Sequence, residues 1–127
     1  MGWFSGDVEV SFDTPPYVVV DKPFTYITDS GLVHTIPEGF RSDGASIPGI
    51  FRGIIGGRLD GKYRRAALLH DFGYFHNVQN KAYWDKIFRE AMIADGVKFW
   101  RRNLMYRAVK WFGHGAWNTH RERDLAS

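Results

Sequence analysis

The chain changes its hydrophobic period once, near residue 62. Before that point apolar positions come in short runs, VEVSF (8–12), YVVV (17–20), FTYIT (24–28) and LVHTI (32–36). β-Branched and aromatic side chains dominate them, and Asp13-Thr14-Pro15-Pro16, Asp21-Lys22-Pro23 and Asp29-Ser30-Gly31 stand between. Proline fixes φ, glycine accepts the left-handed region and aspartate bonds to nearby backbone, so each break reads as a turn. The pattern predicts a small antiparallel β-meander over residues 1–42.

After that point the period is 3.6. Tyr63, Ala66, Ala67, His70, Gly73 and Tyr74 share one side of a helix ending near Asn77. A second helix, from about Lys81 to Asp95, turns Trp84, Ile87, Phe88, Ala91 and Met92 inward, and Gly96 stops it. A third begins near Val97 and puts Trp100, Leu104, Ala108 and Trp111 on one face, with Arg101, Arg102 and Lys110 mostly on another. The aromatic series Trp100, Tyr106, Trp111 and Trp117 therefore reads as core rather than as a platform for bases or lipid. Residues 119–127 read as a polar, fraying tail. The expectation is one α+β domain over residues 1–127. In it a β-rich part (1–42) packs on three C-terminal helices (62–118), joined by a glycine-rich loop (43–61) that holds six of the fourteen glycines.

Composition narrows the class. The 127 residues are 44% hydrophobic and 17% aromatic, enough for one core and too much for a wholly disordered chain. Without cysteine there are neither disulfides nor thiolate metal sites. The net charge is +3, with Lys98, Arg101, Arg102, Arg107, Lys110, Arg121 and Arg123 set against Glu122 near the C-terminus. That segment suits phosphate or anionic lipid, or simply a solvated helix face. It carries no recognised nucleic-acid motif, so nucleic acid is not an expected partner. No apolar run nears the ~20 residues of a membrane span, and the first residues lack the basic-then-apolar order of a signal peptide. A soluble, unprocessed chain is expected.

The chemistry concentrates in RRAALLHDFGYFHN, residues 64–77. His70 and Asp71 lie about 100° apart around a helix and face different ways. A short turn at residues 77–80 returns the second helix antiparallel, which puts Asp85 opposite His70 or Tyr74. His70 can then give one ring N–H to Asp85 and turn its other nitrogen to the glycine-rich loop, with Asp71 serving the same loop. This is a base, a carboxylate that orients it, and a second carboxylate of the hard-oxygen type that calcium takes. In the loop, Asp43 and Ser46 are candidate binding residues, though an Asx-turn at Asp43 and a helix N-cap at Ser46 explain them equally well. Ser46 as a nucleophile lacks a G-x-S-x-G elbow. His34, His76, His114 and His120 share no zinc spacing. The plain alternative is a buried polar network in which His70 is satisfied on both nitrogens.

HDFGYFHN followed by AYWDKIF resembles the HDxxY…D core of the phospholipase A-two superfamily, particularly its bacterial and parvoviral branches. The resemblance spans about twenty-five residues. It implies His70 as the base for an attacking water, Asp85 as its orienter, Tyr74 in support and calcium at Asp71. The Y-x-G-x-G calcium loop of that superfamily is absent, and IIGGRLDGKY stands in its place. A longer stretch, residues 38–113, is similar to a small uncharacterised protein family of tailed phages and prophages, through EGFRSDGASIP, AALLHDFGY and RAVKWFG. In that loop Phe40, Ser42, Asp43, Ala45, Ser46 and Pro48 match F-x-[ST]-D-x-A-S-x-P. This second likeness implies phage origin, and residence in the host cytoplasm or the virion. Two functions follow as expectations: a small hydrolase acting on an ester or phosphoester, lipid or otherwise, or a non-enzymatic virion, tail-accessory or host-directed binding protein.

Overall fold

The computed structural model describes residues 2–6, 8–12, 17–42, 64–76 and 79–126. Asp43, Ser46 and the rest of the glycine-rich loop lie outside the described residues. Among the described residues six strands are followed by four helices: β1 (Trp3–Ser5), β2 (Val10–Phe12), β3 (Val18–Val20), β4 (Phe24–Ile27), β5 (Val33–Ile36), β6 (Arg41–Ser42), α1 (Arg64–His76), α2 (Lys81–Ala94), α3 (Phe99–Phe112) and α4 (His114–Ala126). The α+β class expected from the sequence is what the chain adopts.

The strands do not form one meander. They form two antiparallel three-stranded sheets, in the orders β1-β4-β5 and β2-β3-β6. In the first, Phe24 pairs with Ile36 and Tyr26 with His34, while Phe4 lies across from Tyr26 on the other side. The period of two then places Phe24, Tyr26 and Ile36 in the core. The β4–β5 turn closes through Gly31, at φ +91°, and the Thr28 N–H to Leu32 carbonyl bond at 2.8 Å. In the second sheet, Val18 pairs with Ser42 and Val19 with Arg41, which leaves Val20 and Ser42 buried. Two short strands escaped the sequence reading. Trp3–Ser5, between Gly2 and Gly6, has only two apolar residues, and Arg41–Ser42 is shorter still, so neither shows a period.

The first two helices end close to where the period ended them. Asn80 caps α2 by accepting from the Tyr83 N–H at 2.8 Å, and Gly96 follows its end at φ +75°. Trp84, Ile87, Phe88, Ala91 and Met92 are all buried, as their spacing required. Gly73 lets α1 and α2 approach, since a Cβ there would overlap the indole ring of Trp84.

The third helix is a correction. It stops at Phe112, and a fourth helix occupies the segment read as a frayed tail. Its inward residues are Met105, Ala108 and Val109. Trp100 and Trp111 are each 59% exposed and Leu104 is 43% exposed, so of the face assigned to the core only Ala108 turns inward. Of the aromatic series only Trp117 packs against the core cluster. The period was right and its phase was shifted: Ala108 is buried as expected, but aromatic bulk outweighed Met105 and Val109, which complete the inner side.

Candidate active site

His70 and Asp71 come from the middle of α1, and Asp85 from the second turn of α2. The antiparallel return of the hairpin brings the His70 Nε2 to 2.7 Å from Asp85 Oδ1. Tyr74, one turn on from His70, donates its hydroxyl to the same oxygen at 2.7 Å. Lys81, one turn before Asp85, donates to the second oxygen, Oδ2, at 2.7 Å. Its ammonium also reaches the carbonyls of Val109, at 2.9 Å, and Lys110, at 3.2 Å. One cation thus satisfies the end of α3, where the helix dipole is negative, and the buried carboxylate together.

All of this is below the surface. His70 and Tyr74 are wholly buried and Asp85 is 2% exposed. Burial alone would push the Asp85 carboxyl up, but the hydrogen bond and charge of His70, with the bonds from Lys81 and Tyr74, hold it below its ordinary value. It is a carboxylate and accepts only, so Nε2 of His70 carries the hydrogen and a neutral ring has Nδ1 as its acceptor. Tyr74 moves the other way. Burial, then the Asp85 charge, raise its phenol far above the ordinary value, and it stays a neutral donor. The His70 ring packs on Tyr74 and Phe88, with centroids 4.2 and 4.8 Å away.

Asp71 faces elsewhere, as a neighbour about 100° round a helix must. It accepts from the Ser42 hydroxyl on β6, which fastens the second sheet to α1. Calcium takes 6–8 oxygens. Asp71 and Ser42 supply oxygens of the right kind, but among the described residues no group of three or more acidic or histidine side chains is placed to hold a metal. The residues described do not by themselves make up a calcium site.

Next to Ser42 on the surface is an open hollow of about 550 Å³, lined by Tyr17, Phe40, Arg41, Phe75 and His76 among others. His70 and Asp71 do not line it. The rim of α1 is secured from α4, where Arg121 donates to the Tyr74 carbonyl at 2.6 Å and Arg123 to that of Phe75 at 2.7 Å. These two arginines occupy carbonyls that a helix end otherwise leaves to water.

Of the residues singled out in sequence, the fold brings together His70, Tyr74 and Asp85, sets Asp71 on an adjacent face with Ser42, and leaves His76 at the helix end. Lys81 was missed, although its i,i+4 spacing to Asp85 is a visible signal. Arg121 and Arg123 had none, because their targets are backbone carbonyls.

The comparisons agree with the uncharacterised likeness. The chain is 36% identical over 106 residues to the "Uncharacterized protein y4jT" of Sinorhizobium fredii (strain NBRC 101917 / NGR234), an alignment covering 82% of this chain and 31% of that protein. It is 29% identical over 90 residues to "Uncharacterized protein y4iH" of the same strain, covering 71% of this chain and 38% of that one. The chain thus spans about a third of the length of the curated relatives it matches. No solved structure matches it. The family model described as "Protein of unknown function (DUF1353)" matches residues 18–109, which hold strands β3 to β6, the histidine–aspartate hairpin and most of α3, and the chain belongs to that family.

Proposed function

We propose that the chain is a small hydrolase of esters or phosphoesters in which His70 activates water and Asp85 orients it. The observation that carries the reading is the 2.7 Å contact between His70 Nε2 and a carboxylate whose two oxygens are held by Tyr74 and Lys81. A carboxylate so fixed sets the ring's tautomer and angle and stabilises the imidazolium. In the proposed step, Nδ1 takes a proton from water as its oxygen attacks the carbonyl carbon or phosphorus. The bond to the leaving alkoxide then breaks, and the alkoxide takes that proton back from the imidazolium. Asp71 holds Ser42 on the adjacent face of α1.

Burial supports a second reading. With His70 and Tyr74 wholly enclosed, the four side chains also serve as a brace that locks α1, α2 and α3 together. Under it the chain is a non-catalytic accessory or binding protein, of the phage type that the sequence likeness implies.

Turnover of a panel of carboxylic esters and phosphodiesters by wild type, His70→Gln and Asp85→Asn separates the two. The hydrolase reading expects one substrate class to be turned over, with rates about 10²- to 10⁴-fold lower in His70→Gln while the variant keeps its circular dichroism spectrum. Absence of turnover in the wild type, or equal rates in folded His70→Gln, removes the catalytic reading and leaves the brace.

A further inference from the structure

The sequence of α3, FWRRNLMYRAVKWF, contains no acid. At about 100° per residue, Trp100, Leu104, Arg107 and Trp111 fall within roughly 60° of arc. All four are exposed, as are Phe99 and Phe112 at the two ends, 66% and 70%. Lys110 is exposed on the flank, Lys98 is exposed just before the helix, and the Arg101 guanidinium stands 5.0 Å over the Trp100 ring. The stripe from Trp100 to Trp111 runs for about 16 Å at 1.5 Å per residue. An apolar strip of that length, left open to water on a small domain and edged by one sign of charge, is a surface for a partner.

We propose that this face of α3 docks on a membrane surface carrying anionic lipid, with the helix axis in the plane of the interface. The inference is independent of the hydrolase reading. The two indoles and Leu104 reach the depth where headgroups meet acyl chains, a depth that suits a ring with one polar edge. Arg107, Lys110 and Arg101 extend their apolar stems over the same layer and lift their charges to the headgroups. Among the described residues no helix is long and apolar enough to cross a membrane, so the geometry is that of lying on it. A second copy of the chain fits less well. Packing the stripe on itself across a two-fold axis brings like cations together with no acid on the helix to offset them. A nucleic-acid duplex gives the cations phosphates but offers two indoles and a leucine no apolar layer.

Co-sedimentation of the full chain with vesicles tests this. One set is phosphatidylcholine alone, the other an equal mixture of phosphatidylcholine and phosphatidylglycerol. The expected result is binding to the mixed vesicles that weakens as salt is raised and is small on the neutral ones. Trp100→Ser with Trp111→Ser abolishes it with melting temperature kept. Arg107→Gln with Lys110→Gln lowers the partition coefficient by at least about tenfold. No binding to the mixed vesicles overturns the proposal, as does equal binding by the folded tryptophan variant. It is also overturned if the wild type self-associates in solution through these residues, or if it binds duplex DNA in their place.

Discussion

Tyr74 and Asp85 meet at 2.7 Å, hydroxyl to Oδ1, on the same oxygen that His70 approaches from the neighbouring turn. Tyr74→Phe removes one donor from a buried carboxylate and changes little else in shape. A hydrogen bond to a charged group is worth about 1.5–3 kcal/mol. Urea unfolding should show a loss of that size, with a lower midpoint and an unchanged slope. If Tyr74→Phe unfolds at the wild-type midpoint, the hydroxyl is not holding the carboxylate.

Two glycines in helices should respond to alanine in opposite directions. A Cβ on Gly73 overlaps the Trp84 indole, so Gly73→Ala forces α1 and α2 apart at about 1–3 kcal/mol or more, despite alanine's better helix propensity. At Gly115, in α4, nothing lies within 4 Å of the added carbon. Gly115→Ala should stabilise by up to about 1 kcal/mol. Melting temperatures of the two variants check both signs at once, and a harmless Gly73→Ala would mean the hairpin is packed less closely than described.

The hairpin itself was legible in the sequence. Two 3.6-period runs with a short polar break specify an antiparallel return, and a separation of 15 from His70 to Asp85 places the pair within reach across it. The inner face of α2 was equally plain, since its large apolar residues have no rival side. What could not be read depended on partners distant in sequence. β6 exists because Val18 and Val19 pair with Ser42 and Arg41, and α4 because Arg121, Arg123 and Trp117 dock on α1. On α3 both sides carry apolar residues, and only tertiary packing decides that Met105 and Val109 face in while Trp100 and Trp111 face out. Asp43 and Ser46 stay as the sequence left them, outside the described residues.

Acid should destabilise the fold before any carboxylate titrates. His34 sits on the inner face of β5, its Nε2 2.6 Å from the Tyr83 hydroxyl and its ring against Trp84. Burial lowers its pKa below the ordinary 6.5, and burial with the charge of Arg123 does the same for His76. The unfolded chain then takes up protons at a pH where the folded one still resists. Stability is complete above the ordinary value and falls as pH drops through it toward the folded pKa. The melting temperature should therefore decline from about pH 7 to about pH 5, and His34→Gln should flatten that decline. Asp95 opposes this trend only in the carboxylate range, because burial, outweighing Arg65, raises its pKa. A decline of the same steepness in His34→Gln would place the proton uptake elsewhere.

Lys81 joins three helices through one ammonium, and its loss should be felt at both of its ends. Lys81→Met keeps most of the side chain's length while removing the donor to Asp85 Oδ2 and to the carbonyls of Val109 and Lys110. Breaking one side of a buried ion pair costs about 3–5 kcal/mol, chiefly because the remaining charge is left short of partners. The carboxyl of Asp85 should then rise from its depressed value. A carboxylate with a depressed folded pKa contributes stability above its unfolded value, here 3.8, and loses it as pH falls through the folded one. The gap between wild type and Lys81→Met should thus be widest near neutrality and narrow in strong acid, once Asp85 is protonated in both, to the part owed to the end of α3. Hydrogen exchange should show the second effect, with amides in the last turn of α3 exchanging faster in the variant. A gap that does not change with pH would assign the loss to the helix end alone and leave Asp85 to His70 and Tyr74.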